Sequence, residues 1–256
     1  MKKIIAVLLC TLILLSCAFS AVVYAEGNDK ARNWYYKRCG NNTPDFPSDA
    51  EMIRENGGIY IGDSCEKKIY LTFDAGYENG NIAKILDILK EKEVPAAFFI
   101  LKNIVLSNPD LVKRMETDGH LVCNHTKNHK DMTTLTDEEM KLNLEYLSNL
   151  CLEKTGVKMT SFFRFPEGRY NERTVKNAYI NGYTTVFWSL SYADWDNNNQ
   201  KSDDFAMGKL LSNTHNGAIV LLHPTSDTNV RILGTMIEKW RDMGYSFGSL
   251  EDFNAN

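Results

Sequence analysis

From residue 69 onward, short β-rich apolar runs alternate with longer stretches whose apolar residues recur at helical spacing. The runs that read as strands are 69–73, 97–101, 120–124, 160–165, 184–190, 218–222 and 245–250. Between them, Ile82, Ile85, Leu86 and Leu89 form one apolar stripe, and Thr136 with Glu139 makes a capping box ahead of Met140, Leu144 and Leu147. Another helix spans 171–181 and stops at Gly182, and the last spans 228–243 and stops at Gly244; glycine takes the left-handed cap without a Cβ penalty. Strands that alternate strictly with helices pair in parallel. The fold class is therefore α/β, and seven such units suit a closed or nearly closed (β/α) barrel as well as an open doubly wound sheet.

Upstream of this pattern, residues 26–67 are rich in Asn, Gly, Asp and Pro with little periodicity, which predicts an irregular lead-in carrying one short helix at 50–56. Met1, Lys2 and Lys3 precede an apolar run from Ile4 to Val23, the pattern of a secretory signal, with a cut expected after Ala25. The protein is thus expected outside the cytoplasm. Left uncleaved, the run is long enough to stay as a membrane anchor. Leu14, Leu15, Ser16 and Cys17 also resemble a lipoprotein box, although the apolar residues after Cys17 differ from the polar tether that normally follows a lipid. The expected organisation is a signal peptide over 1–25, the lead-in over 26–67 and one α/β domain over 68–256, acting as a monomer.

A formal net charge of −4, with Lys and Arg scattered, gives no basic stripe for a phosphate backbone, so nucleic acid is not an expected partner. Of six cysteines, Cys10 and Cys17 fall in the leader, and Cys39, Cys65, Cys123 and Cys151 contain no C-x-x-C pair, which disfavours zinc-ribbon and thioredoxin readings. In an exported chain, Cys39 and Cys65 are candidates to pair and staple the lead-in to the domain.

Chemistry on parallel sheets gathers at the carboxyl ends of the strands. Here the first strand ends in Thr72, Phe73, Asp74, Ala75 and Gly76; the third runs into His125 and His129; the fourth carries Arg164, Phe165, Pro166, Glu167 and Gly168. Asp194 and Trp195 follow the fifth, and the sixth ends in Leu221, Leu222, His223 and Pro224. Each cluster alone has a bland explanation, such as a turn cap or a solvated histidine. Three of the chain's five histidines, two aspartates and an arginine on one rim favour a site.

In order and spacing, these five clusters resemble the motifs of the polysaccharide deacetylase or NodB-homology family, carbohydrate esterase family four, over roughly residues 66–253. The resemblance implies a distorted seven-stranded (β/α) barrel that removes acetyl groups from N-acetylated sugars with the help of a divalent metal. Carried over by position, it makes Asp74 the catalytic base, Arg164 the residue that orients it, His223 the acid and Asp194 the group that holds the acid. His125 and His129 become metal ligands, and Trp195, Leu221 and Tyr77 become substrate contacts. One position departs from the pattern: the family's third metal ligand, an aspartate after the base, is Ala75 here. That departure, with the loop Tyr77, Glu78, Asn79 and Gly80, is similar to delta-lactam-biosynthetic de-N-acetylases. This implies action on peptide-free N-acetylmuramic acid in peptidoglycan strands; wall N-acetylglucosamine, chitin-like oligomers, or an inactive wall-binding role are the competing readings.

The chemistry asks for such groups. An acetamide needs an activated water, a polarised carbonyl and a proton for the leaving amine. Zinc is the first choice for an imidazole site, with cobalt, nickel or manganese also admitted, and losing an anionic ligand predicts affinity only in the micromolar range.

Overall fold

The computed structural model describes residues 29–254, so the expected signal peptide lies outside the described residues. Among the described residues, no helix is long and apolar enough to cross a membrane.

The chain enters through β1 (Arg32–Asn33), the hairpin β2 (Lys37–Cys39) and β3 (Asn42–Asp45), and the short helix α1 (Ala50–Glu55). The repeating part then begins with β4 (Lys68–Ala75), α2 (Ile82–Glu91) and β5 (Ala96–Ile100). It continues through α3 (Lys102–Ser107), α4 (Pro109–Thr117) and β6 (Leu121–Asn124), then α5 (Asp137–Thr155) and β7 (Phe162–Phe163). After β8 (Arg169–Tyr170) come α6 (Glu172–Ile180), β9 (Thr184–Thr185) and β10 (Leu190–Ser191). The chain closes with α7 (Asp203–Leu211), β11 (Ala218–Leu222), α8 (Asp227–Asp242) and β12 (Ser246–Phe247). The Thr136 capping box is present, and Gly182 and Gly244 both take positive φ, as their positions predicted. Helices α3, α4 and α7 go beyond that reading, although Pro109 at the start of α4 and the Ser202 cap of α7 are ordinary start signals.

The eight-stranded parallel sheet runs β10-β11-β4-β5-β6-β7-β9, with β12 also on β4. Seven strand runs were expected; the difference is one run, 184–190, which splits into two. Its first half pairs with β7 and its second half with β11, so both ends of the sheet belong to one segment and the sheet curls into the distorted barrel. Changing neighbours interrupts the ladder, and buried peptide groups must find partners elsewhere. They do: Arg164 Nε donates to the Val186 carbonyl, Phe187 N–H to Ile59, and Trp34 Nε1 to the Trp188 carbonyl.

Alternation along β4 sorts its side chains. Ile69, Leu71, Phe73 and Ala75 join the apolar layer that includes α2 and α8, and Tyr70 joins the smaller inner cluster with Phe99 and Ile219. Ala75 therefore sits in the outer apolar layer with no exposure.

The lead-in is less irregular than its composition implied. Trp34 packs against Phe187, Tyr60 and Phe46, with ring centroids 4.7, 5.2 and 5.9 Å away, and β1 pairs with β8. The staple expected between Cys39 and Cys65 is not formed, and all four cysteines among the described residues are free. Each loop is anchored separately by hydrogen bonds, Asn41 to the Leu211 and Thr214 carbonyls and Asn216 to the Ser64 carbonyl, so neither needs a covalent tie.

Gly168 shows how tightly this junction is built. Its φ is +61°, and an added Cβ would lie 2.7 Å from the Trp188 ring and 3.0 Å from the Trp34 Cβ. Gly168→Ala is expected to cost about 3 kcal/mol and lower the melting temperature by about 5–10 °C in thermal unfolding. A melting temperature equal to wild type would contradict this packing.

Candidate active site

Asp74 ends β4 on the inner face, opposite Phe99 of β5. Its Oδ1 accepts from Arg164 Nη1 at 2.7 Å, and its Oδ2 lies 3.5 Å from His125 Nε2. Arg164 is wholly buried, yet its donors are all directed: Nη2 reaches Thr72 Oγ1 at 2.9 Å, and Nε the Val186 carbonyl at 2.9 Å. Its plane lies 4.1 Å from the Phe99 ring centroid, an arrangement that favours a cation. Burial alone would raise the Asp74 carboxyl, but the charge of Arg164, with contributions from His125 and His223, wins and holds it below the usual carboxylate value. Asp74 is therefore an anion at neutral pH.

His125 is fixed from behind. Its Nδ1 lies 3.0 Å from the Arg164 carbonyl, which can only accept, so the ring proton sits on Nδ1 and Nε2 keeps a free lone pair. Burial pushes this histidine down to about 4 despite the opposing charge of Asp74, so the ring is neutral. His129 is exposed, with its ring centroid 5.0 Å from that of His125. The loop that bears it is strained: Thr126 and His129 have φ of +77° and +56°, and Glu167, which also lines the cleft, has +57°. Three of the four non-glycine residues with positive φ among the described residues thus border this site, where the surrounding hydrogen bonds hold them. Among those bonds, His129 N–H donates to Thr126 Oγ1, and Thr126 N–H to the Asn124 side chain.

His223, after β11, is half-buried. Its Nδ1 lies 2.8 Å from Asp194 Oδ1, and its own N–H donates to Asp194 Oδ2 at 2.7 Å. Asn229 completes the arrangement by donating to Asp194 Oδ2 at 2.6 Å while accepting from Tyr192. Burial disfavours the imidazolium, but the Asp194 charge and hydrogen bond outweigh it and raise His223 above its ordinary value. Nε2 is left to face the cleft.

Asp74, His129, Trp195, Leu221 and His223 line one cleft of about 600 Å³, in the size range of small-ligand sites. Arg164, Asp194 and His125 stand behind it. Tyr77 is the exception among the expected contacts: the turn after β4, closed by Glu78 on the Gly80 and Ile82 N–H groups, carries it out to an exposed contact with Asn197, away from the lining. The cleft also takes in Arg38, Glu167, Trp188, Ser191 and Tyr192. Arg38 belongs to the lead-in and has no local signal, whereas Glu167 was visible in the Arg164 cluster but unassigned.

Among the described residues, no group of three or more His, Cys, Asp and Glu is arranged to hold a metal ion. The two imidazoles nonetheless suit a divalent cation: His125 is neutral, and its far nitrogen is anchored on a carbonyl in the manner of metal-ligating histidines. Ala75 adds no donor.

A family model for polysaccharide deacetylase matches residues 61–186. An uncharacterised 30.6 kDa protein of Geobacillus stearothermophilus is 39% identical over 96% of this chain and 93% of its own. The peptidoglycan-N-acetylmuramic acid deacetylase PdaA of Bacillus subtilis is 36% identical over 93% of this chain and 94% of its own. The solved structure of that B. subtilis protein, a family 4 carbohydrate esterase, matches with a TM-score of 0.85 and 37% identity over 88% of this chain and 97% of that one.

The His223 arrangement has a direct spectroscopic consequence. Its imidazole is expected to titrate above the ordinary value of about 6.5 in an NMR pH series, and in Asp194→Asn to titrate lower than in wild type, because the Asp194 charge and hydrogen bond no longer oppose burial. By linkage, the stability His223 contributes is complete below the unfolded-state value and is lost as pH rises through the folded-state one. No shift in Asp194→Asn would refute the assigned pairing.

Proposed function

Because this chain belongs to the polysaccharide deacetylase family, carbohydrate esterase family four, we propose that it removes the acetyl group from amino sugars of peptidoglycan, outside the cytoplasm. We infer that the residue attacked is peptide-free N-acetylmuramic acid, on the way to muramic delta-lactam in spore cortex. The observation that carries the reaction is one cleft holding a carboxylate kept ionised by Arg164 and an imidazole whose protonated form Asp194 favours. Two titratable groups pushed in opposite directions are the signature of a base and an acid.

Asp74 takes the proton of the attacking water, and Arg164 keeps its Oδ1 occupied so that Oδ2 is the basic atom. His223 gives its Nε2 proton to the departing amine, while Asp194 fixes the ring and stabilises its charge. Leu221 and Trp195, the latter 67% exposed, shape the wall on which the acetyl methyl and the sugar rest. His125 and His129 would hold a divalent metal, zinc first, with water in the remaining positions. Such an ion supplies Lewis acidity to the carbonyl and lowers the pKa of water.

The test is mass spectrometry of acetyl loss from peptide-free wall glycan and from chitin oligomers, with zinc or cobalt added to the purified chain. Loss from muramic acid is expected, and Asp74→Asn or His223→Ala should lower the rate by about 10²–10⁴-fold. Loss only from glucosamine would move the substrate; no loss with any metal, with glycan still bound, would make the chain a wall-binding module disabled at Ala75. With two imidazoles as the neutral ligands, zinc is expected to bind with a Kd on the order of micromolar and to be stripped by dialysis against a chelator. Stoichiometric zinc that survives dialysis would contradict that ligand set.

A further inference from the structure

The cleft has one feature that hydrolysis of an acetamide does not need. Arg38 is the one Lys or Arg side chain in its lining, beside the acidic Asp74 and Glu167. The charge of Asp74 is already answered by Arg164, but Arg38 has no carboxylate in contact among the described residues. Its contacts are the Ser191 carbonyl, 3.2 Å from Nη2, and the Tyr36 ring, 5.7 Å away. Tyr36 in turn meets Ser191 through its hydroxyl at 3.0 Å, so two residues of the lead-in grip the end of β10 and orient the guanidinium on the cleft wall. One of its five N–H groups is used in this way, and the remainder are free for a ligand.

We propose that Arg38 is the specificity residue that reads the lactyl carboxylate of the muramic acid substrate, an inference that rests on the substrate reading above. The lactyl ether is on C3 of the sugar, next to the acetamide on C2, so a carboxylate reader must share a cleft with the base and the acid. Arg38 does. A guanidinium matches a carboxylate through paired N–H donors, and Asp74 and Glu167 repel that anion from the rest of the lining. N-acetylglucosamine carries no such group. In peptide-bearing muramic acid the same carboxyl is a neutral amide, which forfeits the charge and adds bulk. Arg38 thereby favours muramic acid over glucosamine and the peptide-free residue over the peptide-bearing one.

The experiment uses the whole chain, zinc-supplemented, on two glycans: peptide-free wall glycan, and the same glycan with its lactyl carboxyls converted to methyl amides. Wild type should prefer the free acid. Arg38→Gln should raise KM on the acid by roughly 10–100-fold with kcat nearly unchanged, the mark of lost uniform binding, and leave the amide kinetics as they were. Arg38→Lys, which keeps the charge but not the fork, should recover part of the loss. Because the side chain is exposed, both variants should melt with wild type. An Arg38→Gln KM on the acid within about twofold of wild type, or a wild type indifferent to amidation, overturns the proposal. A parallel NMR titration with N-acetylmuramic acid and its methyl amide separates the two levels. Arg38-dependent preference for the acid without any acetyl release keeps the carboxylate site and removes the substrate reading. Release from muramic acid that ignores Arg38 does the reverse.

Discussion

The buried pair of Arg164 and Asp74 is the interaction on which the site depends. Taking a guanidinium fully out of water is costly, and that cost is offset only when its donors are satisfied and a counter-charge lies close. Here each direction has an occupant: Asp74, Thr72, the Val186 carbonyl and the face of Phe99. The consequences are distributed over the fold. The Asp74 bond keeps that carboxylate ionised; the Val186 bond satisfies the run that changes neighbours between the two ends of the sheet. The carbonyl of Arg164 itself selects the tautomer of His125. Removing the cation would leave a buried carboxylate unpaired and the Val186 carbonyl without its donor.

Across the cleft the same physics runs the other way. Asp194 is buried and holds His223 from two sides, through the ring and through the backbone N–H, with Asn229 occupying part of the remaining acceptor capacity. Two carboxylates within one site thus serve opposite ends: one is kept ionised by a permanent cation, and the other favours the protonated form of a ring. Neither could do the other's work, because His223 can lose its proton and Arg164 cannot.

The lead-in is part of this machinery. Trp34 caps the interrupted run through the Trp188 carbonyl, and its ring fills the space over Phe187 and Tyr60. The same segment places Tyr36 and Arg38 against Ser191. One wall of the cleft is therefore built from residues over a hundred positions apart in the chain, with strained backbone at Glu167 and positive φ at Gly168 beside Trp34.

Much of the barrel was legible in the chain. Apolar period and glycine stops define most strands and helices, because backbone geometry makes those patterns local. The end-of-strand positions of Asp74, His223 and Arg164 follow from the rule that parallel strands present their carboxyl ends to ligands. The sequence by itself thus determined the α/β class, most of the strand runs and the polar residues that gather at the carboxyl ends of the strands. Tertiary structure alone decided the rest. That run 184–190 splits to close the barrel depends on which neighbours lie on either side, and pairing across a sheet is not encoded in one strand's period. That Cys39 and Cys65 stay apart, that Tyr77 turns outward and that Arg38 joins the cleft wall are outcomes of loop docking. Those loops are fixed by a few hydrogen bonds to residues far along the chain, and such long-range contacts leave no periodic trace in the sequence.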